Sequence, residues 1–407
     1  MKTRLWILLL IALIMLPIVN PLSRPAAAQS TAQPTAQAAT QPAVTPLLDL
    51  LTFVPNAASS ATSSGLILSY VDHRAAEKAA NVTRPTSGAA FAALTDDQRL
   101  PVLRAYGRFM VGPPLDTLLM HITEMPHVVG FDWFDTDQAV LFGDPPSQAV
   151  VYSGQYDTSK INAALTARQF DKTTIDNTSV WTRFEDNSVH IDAVDPGDPF
   201  GGSLGKAARI AVVPSPDSGK QYLAETGQTT LIKAMLDAHS NTLTSLAFAP
   251  DYRALFDALV VPGTPIQALF IAPSAVQIAG ASANTTLRPL GVLPPYTLAA
   301  IADYQDGDTQ ITVLAVLYTD PDTAMQASAE LFWRVDAFDQ IIKVKSPATV
   351  EVPDVFTEHD ISVARIRVKY VPAPSTGLAL PDTVFRRWIE AIYMRAFVPL
   401  AQPSAKR

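Results

Sequence analysis

The 407-residue chain has no cysteine, only six histidines and few charged residues. Without cysteine there is no disulfide framework, cysteine nucleophile, iron–sulfur or zinc–thiolate centre, and no lipid anchor of the bacterial lipoprotein type. Six histidines leave little material for a histidine-rich metal site. The charged fraction of 17% is below the usual ~25%. The apolar fraction of 48% is nevertheless ample for a core, which argues against global disorder.

The first 28 residues have the layout of a secretory signal peptide. Lys2 and Arg4 form a positive start, residues 5–19 are an uncharged apolar run, and Ala26-Ala27-Ala28 supplies a cleavage site. The run is shorter than the ~20 residues that span a bilayer. We therefore predict cleavage after Ala28, with an uncleaved membrane anchor as the alternative. The expected location is secreted or in the cell envelope, and the absence of cysteine suits a bacterial envelope.

Removal of residues 1–28 makes the body more acidic, because this segment carries three basic residues and no acidic one. The remaining 27 basic and 38 acidic residues give a formal charge of −11. This charge argues against binding to nucleic acid or to an anionic membrane, both of which need a basic face. The expected partner is an unknown envelope or extracellular ligand or protein, with membrane contact only through an uncleaved N-terminal segment. No cofactor is expected.

The composition changes along the chain in a way that suggests several segments. Residues 29–45 consist almost wholly of Gln, Thr, Ala, Pro and Ser, a composition that cannot offset chain entropy. They are predicted to be a disordered spacer, or simply a floppy N-terminus. At ~150 residues per domain, the remainder allows more than one unit. We predict a first α+β lobe over 46–262, a second over 263–398, and a tail over 399–407.

Apolar β-branched runs and helical periodicities follow each other without strict alternation. This pattern predicts an α+β fold with one or more mixed or antiparallel sheets and helices packed on one face, in two lobes. The predicted strands cover 66–71, 149–152, 208–213, 266–272, 296–302, 311–318 and 361–368. The predicted helices cover 97–110, 159–170, 229–239, 251–260, 323–335 and 383–397.

Three predicted strands end in an aspartate that comes directly before a helix. Asp72, Asp157 and Asp320 stand where a side-chain oxygen can accept the free amides of the first helical turn. Helix capping is the predicted role, with catalytic carboxylates as the alternative. A second local signal is Asp306-Gly307, which lies between two apolar runs and predicts a β-hairpin.

The best match to a catalytic motif is Gly201-Gly202-Ser203-Leu204-Gly205, a literal G-x-S-x-G. In serine hydrolases of the α/β-hydrolase type this string follows a buried strand and opens a helix. Here it follows a Pro- and Asp-rich segment and leads into an apparent strand. Ser203 is therefore a candidate nucleophile, with His239 or His359 as downstream partners, and a flexible Gly-rich loop is the alternative.

Two groups of aspartates are further candidates. Asp192, Asp195 and Asp198 could bind Ca²⁺, although their spacing is not that of an EF-hand. Turn chemistry is the alternative, because clustered Asp, Gly and Pro residues usually form turns. The segment GFDWFDTDQ places Asp132, Asp135 and Asp137 beside aromatic residues. Paired carboxylates with aromatic neighbours could indicate a glycosidase. Asp-rich turns beside a strand are the alternative.

Four segments carry a resemblance to a known group of proteins. They are LLTFVPN at 50–56, SYVDHRAAEKA at 69–79, GFDWFDTDQAVLFGDPP at 130–146 and VVYSGQYDTSKINAAL at 150–165. With the signal and spacer before them, they resemble uncharacterised exported proteins of high-GC bacteria. The resemblance covers roughly residues 50–257 and implies export. It brings no activity and no catalytic residue to this chain.

The sequence therefore predicts an exported, non-catalytic binding or structural protein. The alternative is a secreted serine hydrolase that uses Ser203. A third interpretation is a Ca²⁺-stabilised surface module that uses Asp192, Asp195 and Asp198.

Overall fold

The computed structural model describes residues 45–60, 64–112, 121–195, 198, 200, 202–215, 219–259, 265–276, 291–342, 348–358, 360–372 and 381–402. The predicted signal peptide, the predicted spacer up to residue 44 and residues 403–407 of the predicted tail lie outside this part of the chain. The described residues all fall within one unit, which starts at Pro42.

Thirteen strands form one antiparallel sheet in the order β11-β13-β10-β9-β8-β1-β2-β3-β7-β6-β5-β4, with β12 also paired to β13. The long β-branched and aliphatic runs of the sequence form its central strands, as their high strand propensity predicts. The strands are β1 Leu66–Asp72, β2 Thr136–Phe142, β3 Ala149–Gly154, β4 Asp171–Ile175, β5 Thr178–Arg183, β6 Ala208–Pro214, β7 Gln221–Thr226, β8 Pro265–Ile271, β9 Ala299–Asp306, β10 Thr309–Tyr318, β11 Thr349–Val350, β12 Asp354–Glu358 and β13 Ile361–Tyr370.

The described part of the chain contains ten α-helices, and in five of them the 3.6-residue periodicity of the sequence predicts both ends within four residues. A sixth predicted helix, 323–335, lies inside a longer observed helix that ends at Ile342. The helices are α1 Thr45–Leu51, α2 His73–Ala79, α3 Gly88–Ala92, α4 Asp96–Tyr106, α5 Met125–Val128, α6 Thr158–Ala167, α7 Thr229–His239, α8 Pro250–Leu259, α9 Pro321–Ile342 and α10 Val384–Tyr393. Short 3₁₀ turns connect several of them. Among the described helices, none combines the length and the apolar character needed to cross a membrane.

The sheet has a hydrophobic core on each of its two faces. Along β10, Val313 and Ala315 pack into one core, whereas Leu314 and Val316 pack into the other, because successive side chains of a strand point to opposite faces. Helices α1, α7 and α8 contribute to the first core. Helices α3 to α6, α9 and α10 contribute to the second.

The α+β class and the antiparallel sheet confirm the predicted fold class. Helices cover both faces of the sheet, however, and not one face as the sequence suggested. The reason is visible in β10, where residues 311 to 318 are apolar without interruption apart from Thr312. A strand that is buried on both faces needs apolar residues at successive positions.

The three predicted aspartate caps are confirmed. Asp72 accepts a hydrogen bond from the amide of Ala75 at 2.7 Å, and Asp320 accepts one from the amide of Thr323 at 2.7 Å. Asp157 accepts from the amides of Ser159 and Lys160 at the start of α6. These carboxylates occupy positions where free amides and the helix dipole both favour a negative charge.

The predicted β-hairpin at Asp306-Gly307 is also confirmed. Asp306 of β9 faces Thr309 of β10, and Gly307 has a φ of +56°. This left-handed conformation is one that glycine adopts without a steric penalty.

The sheet runs through both predicted lobes. Strand β1 from residues 46–262 pairs with β8 from residues 263–398 over the register Ser69↔Leu269. Whether the two ranges behave as separate lobes remains a prediction. Of the predicted tail, residues 399–402 pack against the fold: Leu400 and Ala401 are buried, and Arg334 of α9 donates a hydrogen bond to the Ala401 carbonyl at 2.7 Å.

Candidate ligand-binding site

An open surface cavity of about 440 Å³ lies between the end of α6 and the loop that follows β5. We call it the arginine cavity, because two guanidinium groups contribute to its wall. It lies beside the segment that holds the sequence candidates Ser203, Asp192, Asp195 and Asp198. Its lining residues are Ala167, Arg168, Gln169, Arg183, Ala193, Val194 and Asp195.

The guanidinium of Arg183 lies against two aromatic rings. Its central carbon is 4.7 Å from the ring centroid of Phe184 and 5.5 Å from that of Phe170, within the range of cation–π contact. Within the described part of the chain, this side chain forms no ion pair and no hydrogen bond. Partial burial lowers the pKa of Arg183, and the positive charge of Arg168 lowers it further, while the negative charges of Asp198 and Asp195 oppose this shift. Arg183 is thus a cation in a cavity whose rings hold it without neutralising it.

Arg168 is neutralised, in contrast to Arg183. Its Nη2 lies 2.6 Å from a carboxylate oxygen of Asp198 and 3.5 Å from one of Asp195. Asp198 is buried, and its other oxygen accepts a hydrogen bond from the amide of Phe200 at 2.9 Å. A buried carboxylate needs such partners, because desolvation of an unpaired charge is costly. Arg168 and Asp198 therefore form a fixed pair beside Arg183.

The backbone around Arg183 is locked in an unusual conformation. Phe184 has a φ of +62°, which is an outlier for a bulky side chain. Arg209 donates hydrogen bonds to the carbonyls of Arg183 at 3.1 Å and Phe184 at 2.9 Å. The ring of His190 stacks on the Phe184 ring with centroids 3.9 Å apart. Such strain persists only where surrounding contacts enforce it, and it is concentrated at functional sites.

Apolar side chains also line the arginine cavity. Ala167, Ala193 and Val194 contribute to its wall, and Val194 is 45% exposed. The loop between β5 and β6, which carries Val194, is held by hydrogen bonds from the His190 amide to the Gly205 carbonyl at 2.7 Å and from the Asp195 amide to the Gly202 carbonyl at 2.8 Å. The cavity therefore has a small apolar surface as well as the guanidinium of Arg183.

A carboxyl group with an altered proton affinity lies near Asp198. Burial raises the pKa of Glu225 on β7 to about 8, and the Asp198 charge adds to this effect, while Lys206 opposes it. The Glu225 side chain is partly exposed. At neutral pH the Glu225 carboxyl group is therefore largely protonated.

The structure places Ser203 in a 3₁₀ turn, Gly202–Leu204, which leads into strand β6. A nucleophile elbow instead opens a helix. Among the candidate partners, His239 stacks on Phe53 with centroids 3.9 Å apart and shares a hydrogen bond with Thr52 at 2.9 Å. His359 lies outside the described residues. The role of Ser203 as a nucleophile remains a prediction.

The aspartates predicted as Ca²⁺ ligands surround an arginine. Asp195 and Asp198 both face Arg168, and Asp192 lies in the 3₁₀ turn Ile191–Ala193. Across the described residues, no three His, Asp or Glu side chains are grouped so that they could hold a metal ion. The guanidinium of Arg168 therefore already pairs with the carboxylates that a Ca²⁺ ion would need as ligands. The Ca²⁺ interpretation remains a prediction.

The aspartates beside Trp133 have structural partners. Asp132 accepts hydrogen bonds from the amides of Gly88 at 2.6 Å and Phe134 at 3.0 Å. Asp137 forms ion pairs with three cations, at Arg74, Arg84 and Lys220. Burial raises the pKa of Asp137, but its interactions with Arg74 and Lys220 outweigh this effect and leave the pKa lowered. These two carboxylates hold the start of β2 in place.

The sequence analysis did not single out Arg168 or Arg183, although the sequence contains a signal for the hairpin that places Arg183. Strands β4 and β5 are joined at Asp176-Asn177, and both residues have positive φ. The register pairs Asp171 with Thr182. Phe170 and Arg183 are therefore the next opposite positions at the open end of the hairpin, away from its turn. Detection of this hairpin would have placed the ring and the guanidinium opposite each other.

Comparisons with known proteins give little guidance. No protein-family model matches the chain, and no curated protein is detectably similar to it. Crystal form I of TP0453 has a TM-score of 0.33 and 9% sequence identity, covering 85% of this chain and 97% of that chain. Crystal form IV of TP0453 has a TM-score of 0.31 and 8% identity, covering 83% and 96%. Likeness at this level supports no conclusion about fold or function.

Proposed function

We propose that this is an exported, non-catalytic binding protein that takes a small anionic ligand at the arginine cavity. The observation that carries the proposal is the guanidinium of Arg183, which has no ion pair or hydrogen bond in the described part of the chain while lying in an open cavity. A partly desolvated cation without an ion pair or hydrogen bond of its own is stabilised by a ligand that supplies one.

Several features support a binding role over catalysis. Prominent carboxylates of the described part serve as helix caps, as Asp72 and Asp157 do, or as ion-pair partners, as Asp137 and Asp198 do. The arginine cavity instead contains the guanidinium of Arg183, which forms no ion pair with the described residues. Its volume lies within the ~300–1,000 Å³ typical of small-molecule sites.

Export is supported by the arrangement of the first 28 residues and by the sequence resemblance to exported proteins. Expression of the full chain in a bacterial host tests this part. We expect the protein in the culture medium or envelope fraction, with an N-terminus at Gln29 as determined by mass spectrometry. Recovery only from the cytoplasm with residues 1–28 intact would refute export.

Anion binding is tested by calorimetric titration of the chain from residue 29 onward with acetate, phosphate and citrate. We expect at least one of them to bind, and Arg183→Gln to weaken that binding ~10- to 100-fold, the range for a hydrogen bond to a charged group. Lys160→Gln is the matched control, because it removes the same charge from an exposed position on α6. Equal binding by both variants and the parent chain would contradict the proposal.

A serine-reactive fluorophosphonate probe tests the alternative of a hydrolase. The binding proposal predicts no covalent labelling of the chain. Labelling that Ser203→Ala abolishes, together with hydrolysis of a model ester, would establish a hydrolase instead.

A further inference from the structure

We infer that the ligand of the arginine cavity is an aliphatic monocarboxylate, bound by Arg183 at its carboxylate end and by Ala167, Ala193 and Val194 along its chain. The inference rests on the proposed function and adds the chemical class of the ligand.

The contacts of Arg183 select the head group. The rings of Phe170 and Phe184 lie within 5.5 Å of the guanidinium, so ring contacts satisfy the cation without using its N–H groups. Those donors lie in the guanidinium plane in a fork that matches the two oxygens of a carboxylate. A carboxylate can therefore accept two parallel hydrogen bonds while the aromatic contacts are kept.

The surrounding charges favour a single negative charge on the ligand. Asp195 lines the same cavity, and the charges of Asp198 and Asp195 both act on Arg183. Arg168 is paired with the same two carboxylates, so the two arginines and the two aspartates together carry no net charge. A phosphate dianion would bring a second negative charge close to Asp195, and like charges repel each other at such distances.

The apolar part of the cavity selects the remainder of the ligand. Ala167, Ala193 and Val194 contribute to the wall, and Val194 is 45% exposed. Contact of these side chains with an alkyl chain removes apolar surface from water, which is favourable in proportion to the area buried. A carboxylate with a hydrocarbon chain thus fits both halves of the cavity.

The test compares octanoate with acetate, octanol and inorganic phosphate by calorimetric titration of the chain from residue 29 onward. We expect octanoate to bind ~10-fold or more tightly than acetate, since each buried methylene adds to affinity. Arg183→Gln should abolish the preference for octanoate over octanol. Arg183→Lys should restore only part of it, because an ammonium group cannot form the two parallel bonds.

Val194→Ser tests the chain contact separately. It should weaken octanoate binding several-fold and leave acetate binding unchanged, with Val352→Ser, the same change at an exposed valine outside the cavity lining, as the matched control. Thermal unfolding of each variant checks that it is folded.

The outcomes separate the two proposals. Binding of phosphate or acetate that depends on Arg183, with no gain for octanoate, would overturn the aliphatic class and leave anion binding in place. Octanol binding as tight as octanoate binding would also overturn it, because the carboxylate would then contribute nothing. If no tested anion binds in an Arg183-dependent way, both proposals fail.

Discussion

A buried ion pair between Arg108 and Asp303 connects the two ranges that the sequence suggested as lobes. The guanidinium donates two hydrogen bonds of 2.8 Å to the carboxylate, one from Nε and one from Nη2. It also donates to Gln305 at 2.7 Å, while Gln267 of β8 donates to Asp303 at 3.1 Å. Asp303 is fully buried and Arg108 is 7% exposed. We predict that Asp303→Asn strongly destabilises the whole sheet.

The expected magnitude follows from the burial of both groups. Removing one partner of a buried pair leaves an uncompensated charge and costs ~3–5 kcal/mol. Asparagine keeps the shape of the side chain, and Arg108 retains Gln305 and the Tyr304 carbonyl at 3.1 Å. We therefore place the loss near the lower end, at ~3 kcal/mol. This is a large part of the ~5–15 kcal/mol by which a domain is usually stable.

Urea unfolding followed by tryptophan fluorescence measures this change as a shift of the midpoint at constant slope. Asp176→Asn is the control, because Asp176 forms an exposed ion pair with Lys233 and its loss should leave the midpoint almost unchanged. The double variant Arg108→Met/Asp303→Leu should recover most of the loss, since an apolar pair of similar volume often replaces a buried ion pair without cost. A loss below ~1 kcal/mol for Asp303→Asn would refute the reasoning.

Three further changes test other features of the fold by the same unfolding assay. Asp157→Ala removes the cap of α6 and should cost ~1 kcal/mol, whereas Asp157→Asn should cost less, and equal stability of all three chains would contradict capping. Gly130→Ala should destabilise the protein by more than ~1 kcal/mol, because Gly130 has a φ of +80° and an added Cβ would lie 2.4 Å from the Lys160 carbonyl oxygen; an unchanged midpoint would exclude this clash. For Glu225, the raised pKa of about 8 against an ordinary 4.5 means that the folded state keeps a proton that the unfolded chain loses. Stability should therefore fall from pH 4.5 to 8 by ~1–2 kcal/mol, allowing for partial exposure, and Glu225→Gln should abolish this part of the slope.

The sequence signals that predicted the fold best were those with a local physical cause. Helix α7 was predicted at its observed bounds, because its apolar residues recur at helical spacing from residue 229 to 239. The aspartate caps and the hairpin at Asp306-Gly307 depend on interactions within a few residues, so they too could be predicted.

Other elements lacked such a signal. Strand β4, DKTTI, is mostly exposed and has no apolar alternation, because it lies at the edge of the sheet. Strand β2 starts in the Asp-rich segment at Thr136, where polar residues conceal the strand pattern. Pairing between β1 and β8 depends on tertiary contacts that no local pattern records.

The candidate site likewise contains residues that a local sequence motif marks and residues that only tertiary contacts reveal. Sequence motifs drew attention to Ser203 and to Asp192, Asp195 and Asp198, which lie in the correct region of the chain. Arg183 has no motif, and its significance depends on Phe170 across the hairpin and on Arg209 from β6. Such a site becomes visible only when distant segments are brought together.

The position of β1 at the middle of the sheet has a consequence for how fast the protein can fold. On one side β1 pairs with β2, and on the other with β8, about 200 residues further along the chain. Closing so long a loop costs entropy before any contact is gained, and proteins rich in such pairings fold slowly. A chain synthesised or translocated from its N-terminus keeps one edge of β1 open until β8 has emerged. During that interval β1 can pair with other chains, so a holding chaperone would raise the yield of folded protein.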